Sequence, residues 1–374
     1  MPLQVLSTTN PRETRRVAGI WRLIVTFGLM LLPGIENAAA IPDHSPRPQA
    51  PVAPDELLAQ AATSATFDCE RYRARNWLRE KIVCEADLAQ YGLRLDDNWD
   101  RTPQDQPVVI LVHGFNSSPA QNVALVKPIC EAQLPCGTFA YPNDHTILAS
   151  AQLLSCELRR FAVRHPERRV VLVCHSMGSL VARICVEDPL YDPGNVDRLV
   201  MIAPPTHGSM IAHFAVGTDV WEHWIARKNG GPWRRVRDSI VDGLGEAADD
   251  LCPGSEFLHE LNGRPLNPLV RYSILLGTGA RVEEAQLTWI RDSICERLAN
   301  LPGGDRSAKR LAEILNDMDE LVVGKGDGVV AVKRGRLDGV ADTLVMPFGH
   351  LAVTGEPRDK VLRQVQKAVL ERVQ

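Results

Sequence analysis

The run Val170-Val171-Leu172-Val173-Cys174-His175-Ser176-Met177-Gly178-Ser179-Leu180-Val181-Ala182-Arg183 changes character at its centre. Apolar, mostly β-branched residues lead up to a serine with a small residue close behind, and a helical pattern starts at once. The reading is strand, sharp turn, helix. A serine on such a turn is pushed clear of the chain with its hydroxyl exposed, beside the free N–H groups of a helix N-terminus. Cys174-His175-Ser176-Met177-Gly178 has the form of a nucleophile elbow, G-x-S-x-G, with Cys174 in place of the first glycine. S-x-G alone is short, so the strand before it and the helix after it carry the weight.

On either side the chain alternates. Pro107 to Val112 is a continuous apolar run, as a strand covered on both faces of a parallel sheet requires. It ends in His113-Gly114-Phe115-Asn116-Ser117-Ser118, and a helical segment follows to about Glu131. Thr138 to Tyr141 reads as a short strand, Ile147 to Val163 as a helix, and Asp197 to Ala203 as the strand after the elbow helix. This rhythm predicts βαβ units and a parallel sheet. It breaks between 207 and about 268, where no strand is evident. Three tryptophans (Trp221, Trp224, Trp233) stand there, with the basic residues Arg227, Lys228, Arg234, Arg235 and Arg237 around them. A helical insertion after a strand tip reads as a cap over a site. The tryptophans would either line an acyl pocket or form the cap's own small core. Val270 to Leu276 resumes the sheet, residues 282 to 318 look helical, and Leu321-Val322-Val323 is strand-like. Thr343 to Met346 is a last strand, and Arg358 to Val373 an amphipathic helix.

The 374 residues allow one large core, and a net charge of −4 argues against a general nucleic-acid binder. Arg12, Arg15, Arg16 and Arg22 precede the apolar Leu23 to Leu32, then Ala38-Ala39-Ala40. A positive region, a short apolar region and a small-residue site predict a secretory signal over residues 1–40. An uncleaved membrane anchor is the less favoured reading, because the apolar run falls short of the roughly 20 residues a span needs. Export to the periplasm or the medium is the expectation. Residues 41–62, rich in proline and alanine, read as a flexible lead-in, and 63–374 as the folded domain. Within it Trp77, Leu78, Ile82 and Val83 suggest a flap on the core. Nine cysteines suit an exported chain. Cys69 with Cys84, or Cys130 with Cys136, would close short loops, whereas Cys174 and Cys185 read as buried thiols. Neither C-x-x-C nor H-E-x-x-H appears, so no metal and no organic cofactor is expected.

A serine hydroxyl is scarcely ionised near neutral pH and needs a base, and the base needs a carboxylate to orient it. In an open α/β sheet these groups belong at the carboxyl ends of strands. The order nucleophile, acid, histidine selects His350, directly after the last strand and behind Gly349. His207, His213, His223 and His259 all fall in the cap region. Asp327, between Gly326 and Gly328 and behind the apolar 321–323, is the preferred acid. An Asp-Gly turn in a plain hairpin is its competitor, and Asp197, Asp317 and Asp319 are in reserve. An oxyanion needs backbone N–H donors, and Met177 and Phe115 are placed to supply them. Asn116-Ser117-Ser118 also has the form of a glycosylation acceptor, discounted because a glycan would obstruct this site. His113 and His175 read as structural, the latter with its ring turned aside.

At this point the spaced motifs carry a resemblance. His113-Gly114-Phe115, Cys174 to Gly178, Ala203-Pro204-Pro205-Thr206-His207-Gly208-Ser209, Asp250 to Asn262, Gly326-Asp327-Gly328-Val329-Val330 and Gly349-His350 resemble the serial motifs of α/β-hydrolase lipases. The branch is the bacterial group similar to GPI-inositol deacylase-like and lecithin–cholesterol acyltransferase-like enzymes. The resemblance spans roughly 107–372. It implies an α/β-hydrolase fold, a mostly parallel sheet with helices on both faces and a helical cap. It implies Ser176 as nucleophile, Asp327 as acid, His350 as base, and the Phe115 and Met177 amides as oxyanion donors. The family's Thr-Pro-His-x-Gly-Ser becomes Pro-Pro-Thr-His-Gly-Ser, so His207 receives no role. The expected activity is hydrolysis of a carboxylic ester, lipid-like, through an acyl-enzyme. The expected partner is a small-molecule or lipid ester, with transient contact at a membrane surface and no nucleic acid. Two alternatives stay open: an acyltransferase or thioesterase on the same fold, and a catalytically silent binding protein.

Overall fold

Two strands of nearly unbroken apolar sequence, Val108–Val112 and Val170–His175, form the centre of the architecture. In the computed structural model, residues 91–97, 99–115, 117, 119–142, 146–212, 249–300, 304–354 and 360–374 are described. The strands are β1 (Gly92–Leu95), β2 (Val108–Val112), β3 (Cys136–Ala140), β4 (Val170–His175), β5 (Val196–Ile202), β6 (Arg271–Gly277) and β7 (Thr343–Met346). They form one seven-stranded sheet in the order β1-β3-β2-β4-β5-β6-β7. Every neighbouring pair is parallel except β1 with β3. All residues of β2 and β4 are buried, as expected of strands covered on both faces.

Helices fill the connections: α1 (Val123–Glu131), α2 (Ile147–Arg164), α3 (Gly178–Glu187), α4 (Glu256–Asn262), α5 (Glu284–Ala299), α6 (Gly304–Asn316), the single turn α7 (Val332–Gly335) and α8 (Lys360–Val373). Alternate strand residues divide between two cores, following the period of two in a strand. Val108, Ile110, Val112, Leu172, Cys174, Leu199 and Met201 face a layer built from α2, α3 and α4. Val109, Leu111, Val171, Val173, Val200 and Ile202 face α1 and α8. A third cluster, with Leu287, Ile290, Leu311 and Leu315, joins α5 to α6. This is the α/β-hydrolase fold.

Two sequence expectations change. β1 falls in a stretch that shows no period, because it is a four-residue edge strand without a fully buried face. Its approach requires Gly137, where a Cβ would lie 2.6 Å from the Arg94 carbonyl oxygen. Residues 321–323 are not a sheet strand. A 3₁₀ turn (Asp319–Leu321) is followed by one bridge, Val322 to Val282. The Cys130–Cys136 disulfide is present, and Cys156 is disulfide-bonded to a residue outside the described set. Cys174, Cys185, Cys252 and Cys295 are not disulfide-bonded. The signal region, the lead-in, the Trp77 flap, Cys69, Cys84, Asn116 and residues 213–248 of the expected cap also lie outside the described residues. Its described parts, 207–212 and 249–268, contain α4 and no strand. Among the described residues no helix is long and apolar enough to cross a membrane.

One buried ion pair locks the helix behind the elbow. Arg183 and Glu187, both fully buried, are joined at 2.9 and 3.0 Å. The same guanidinium donates to Asn262 Oδ1 at 2.8 Å, tying α3 to α4. Burial raises the Glu187 pKa, and Arg183 opposes that rise. Removing one member strands the other charge, which costs about 3–5 kcal/mol. Arg183→Met is therefore expected to lose stability of that order in urea unfolding, and adding Glu187→Gln should recover part of it. A loss for Arg183→Met below about 1 kcal/mol would contradict this account.

Candidate active site

The elbow forms where β4 ends and α3 begins. Ser176 has φ +54°, a left-handed conformation that residues other than glycine rarely adopt. Its N–H donates to the Ile202 carbonyl at 2.9 Å, and its own carbonyl accepts from Ser179 N–H at 2.9 Å. Gly178 makes the sharp turn possible, since a Cβ there would run into the carbonyls of His113 and Val112. Cys174, where the motif has glycine, is fully buried and free. Burial, and then Cys185, push its thiol far above the usual range, so it is no competing nucleophile.

His350 lies in the loop after β7, and Asp327 in the tight turn Gly326–Val330. Both are buried, as is Ser176. His350 Nδ1 is 2.8 Å from Asp327 Oδ2, and His350 Nε2 is 2.9 Å from Ser176 Oγ. A carboxylate accepts, so the proton of the neutral ring sits on Nδ1. The Nε2 lone pair then faces the serine hydroxyl. The other carboxylate oxygen, Asp327 Oδ1, accepts from the N–H groups of Val329 (2.9 Å) and Val330 (2.7 Å). The main chains join too, with His350 N–H donating to the Asp327 carbonyl at 2.9 Å.

Asp327 does not extend from a sheet strand. It lies against the end of β6, where a Cβ on Gly277 would be 2.7 Å from the Asp327 Cβ. Gly279 in turn leaves room for Phe348 and Gly349, just before the histidine. These two glycines let both loops meet at the sheet rim. The sequence reading passed over them, though Leu276-Gly277-Thr278-Gly279 after an apolar run was the available signal. The reserve acids are engaged elsewhere. Asp197 pairs with Arg169 at the start of β5, and Asp317 and Asp319 pair with Lys333.

The turn carrying Phe115 is held by His113 and Tyr141. Their rings stack with centroids 4.2 Å apart. Tyr141 N–H faces His113 Nε2 at 3.3 Å, which makes Nε2 the acceptor and leaves the proton on Nδ1. That Nδ1–H donates to the Gly114 carbonyl at 3.0 Å. In a trans peptide the carbonyl and the following N–H point opposite ways, so the Phe115 N–H is directed away from His113. A Cβ on Gly114 would be 2.9 Å from the Ser176 Cβ, so this turn abuts the serine. Among the described residues neither the Phe115 nor the Met177 amide enters a backbone hydrogen bond. Tyr141, whose hydroxyl donates to the His113 carbonyl at 2.7 Å, went unnoticed in sequence because nothing local marks it.

His175 is not turned aside. Its Nε2 lies 3.2 Å from the His350 carbonyl oxygen, which can only accept, so Nε2 carries the proton. The two rings tilt against each other with centroids 4.9 Å apart. Burial, then the charge of His350, hold His175 well below the ordinary imidazole range, against the opposing pull of its bond to that carbonyl. Burial also lowers His113, partly offset by its bond to Gly114. Asp96, Cys130 and Cys136 cluster closely enough to suggest metal ligands, but the two sulfurs are joined to each other.

Chemically the site is a carboxylate, an imidazole and a hydroxyl in series at the rim of the sheet. Sheet order and elbow together are those of the α/β-hydrolase fold. A family model described as a PGAP1-like alpha/beta domain matches residues 146–239, from α2 through the elbow and β5. No curated protein matches the sequence significantly. Similar solved structures include a lipase of Bacillus licheniformis, 16% identical, covering 75% of this chain and 97% of its own, with TM-score 0.49. A monoacylglycerol lipase of Paleococcus ferrophilus is 15% identical, covering 72% of this chain and 95% of its own, with TM-score 0.40. The phospholipase PlaB of Legionella pneumophila is 17% identical over 62% of this chain and 46% of its own, with TM-score 0.39.

The buried histidines predict acid sensitivity. The pKa of His175 in the fold lies well below the 6.5 of an unfolded chain. As pH falls through the window between 6.5 and the lowered value, the unfolded state binds more protons, so stability is intact above the window and lost on descending through it. Urea midpoints of the wild type should therefore fall between about pH 7 and about pH 5, and His175→Phe should show a smaller fall. Comparing the two proteins cancels the opposite contributions of the buried Glu187 and Glu320, whose pKa values are raised. Equal falls in both proteins would refute the assignment.

Proposed function

We propose that the protein is a serine hydrolase that cleaves carboxylic esters through an acyl-enzyme. The observation that carries this reading is the unbroken chain Asp327–His350–Ser176, with separations of 2.8 and 2.9 Å, on a serine held at positive φ. Ser176 Oγ attacks the carbonyl carbon of the ester while His350 Nε2 takes its proton. Asp327 keeps the ring oriented and balances the imidazolium. The carbonyl oxygen, now an oxyanion, is received by the N–H groups of Met177 and Phe115. The intermediate collapses, the C–O bond breaks, and His350 returns the proton to the leaving alcohol. Water then repeats the sequence on the acyl-serine and releases the acid.

A lipid-like substrate is supported by Leu351, largely exposed directly after the base, which gives the rim an apolar residue. The names of the similar structures, lipases and a phospholipase, point the same way. Such a substrate would bring the protein into transient contact with a membrane surface. The apolar segment near the N-terminus and the disulfide are consistent with export.

A panel of p-nitrophenyl esters of graded chain length tests the reading. Turnover should rise with acyl length over the short members, and Ser176→Ala should lower kcat by about 10,000-fold or more. A fluorophosphonate probe should label the wild type and not Ser176→Ala. A folded wild type that neither turns over any ester nor takes the label would overturn the proposal.

A further inference from the structure

Packing anchors the segment that carries the base on its flanks, through the buried Phe348 and Val353, while β7 has no fully buried residue and Leu351 beside His350 is 73% exposed. Between those anchors, specific bonds hold the main chain of His350. The N–H of His350 is held by the Asp327 carbonyl at 2.9 Å, and its carbonyl by His175 Nε2–H at 3.2 Å. His175 is the last residue of β4 and directly precedes Ser176. A bond from that position ties the base's main chain to the nucleophile's own turn, so the two move as one.

From this juxtaposition, and building on the hydrolase reading above, we propose that His175 is a positioning residue: it sets the distance between His350 Nε2 and Ser176 Oγ without touching substrate. The other ring nitrogen strengthens the case. His175 Nδ1 is buried and, among the described residues, has no hydrogen-bond partner. An unpaired buried polar atom works against folding. A phenyl ring would fill nearly the same volume without that cost, so the fold itself has no need of an imidazole here. The one polar contact that distinguishes the imidazole from a phenyl ring is the bond to the base. The low basicity of the buried ring has a further consequence. His175 stays neutral beside His350, and so does not repel the charge that forms there during turnover.

Two variants separate positioning from packing. His175→Phe keeps the ring and removes the donor. His175→Gln places an amide N–H near where Nε2–H stood. For His175→Phe, kcat on a p-nitrophenyl ester should fall by about tenfold to a hundredfold, since small displacements of a reacting group have effects of that size. KM should stay within about twofold, because substrate binding is untouched. The thermal midpoint should be unchanged or higher. His175→Gln should restore most of kcat. A parallel readout needs no turnover. The low-field proton resonance of the His350 Nδ1–H bonded to Asp327 should be sharp in wild type and His175→Gln, and broadened by exchange in His175→Phe. If wild type turns over ester and His175→Phe matches it in kcat and in this resonance, the positioning role is wrong. If His175→Phe and His175→Gln lose kcat and thermal midpoint together, the residue is structural and the proposal fails. If no Ser176-dependent turnover exists but the resonance still responds, the hydrolase reading falls and the positioning stands.

Discussion

The left-handed backbone at Ser176 is the constraint from which the rest of the site follows. A non-glycine residue at φ +54° stores strain of about 1–3 kcal/mol, so the surroundings must hold it there. They do so from three sides. β5 accepts the serine N–H through Ile202, the first turn of α3 begins on its carbonyl, and Gly178 lets the helix press against the end of β2. The tightness of that last contact explains why glycine is retained at 178 while a cysteine is accommodated at 174. Position 174 points its side chain into the core between sheet and helices, where a small thiol packs. Position 178 meets a main-chain oxygen that cannot move without displacing β2.

The same logic of main chain against main chain recurs at the other side of the site. Asp327 and His350 come from loops 23 residues apart, and each is fixed by its backbone as well as its side chain. The turn at 327 is braced from below as well. Gly328 N–H donates to the carbonyl of Glu320, whose buried carboxylate pairs with Arg334 at 2.8 Å and accepts from Met210 N–H at 3.0 Å. Ser209 donates to the Val329 carbonyl. The start of the expected cap region and the acid turn are thus parts of one buried network. A displacement at 209 or 210 would be felt at the carboxylate.

Much of this was legible in the chain because the signals were local. The apolar runs 108–112 and 170–174 announce strands buried on both faces, and the elbow motif lies between an unbroken apolar run and one of period 3.6. The residues at 176, 327 and 350 could be singled out because each follows an apolar segment and stands within two residues of a glycine. What escaped reading is what depends on distant partners. β1 exists because β3 offers it an edge and Gly137 lets it approach, and neither fact is visible in Gly92-Leu93-Arg94-Leu95. The run 321–323 looks like a strand because its residues are apolar. Only one residue of it finds a bridge partner, and Val323 is exposed. Tyr141 and His175 matter through bonds across 28 and 175 residues, distances over which no sequence period reaches.

The site gathers three imidazoles where only one is suited to carry a proton, and their partners decide which. Of the three, His350 alone has a carboxylate at hydrogen-bond distance among the described residues. His113 is bracketed by a carbonyl and an amide N–H, and its tautomer is fixed by them: a second proton would land on Nε2, facing the N–H of Tyr141. His175 has one neutral partner and one empty nitrogen in a fully buried setting, with no anion to compensate a charge. Burial lowers the basicity of His113 and His175, while the ring that faces Ser176 has an anionic partner in Asp327. The two neutral rings then serve the site through geometry. One turns the Gly114–Phe115 peptide, and the other holds the carbonyl of the base. In the proposed reaction neither would add a cation to a cleft that has to stabilise an anion on the carbonyl oxygen and a cation on His350 at the same moment. A cation on either ring would raise the energy of the imidazolium and weaken the bond that ring donates into the framework. The low basicity of His113 and His175 is therefore part of how the three residues of the site keep their separate tasks.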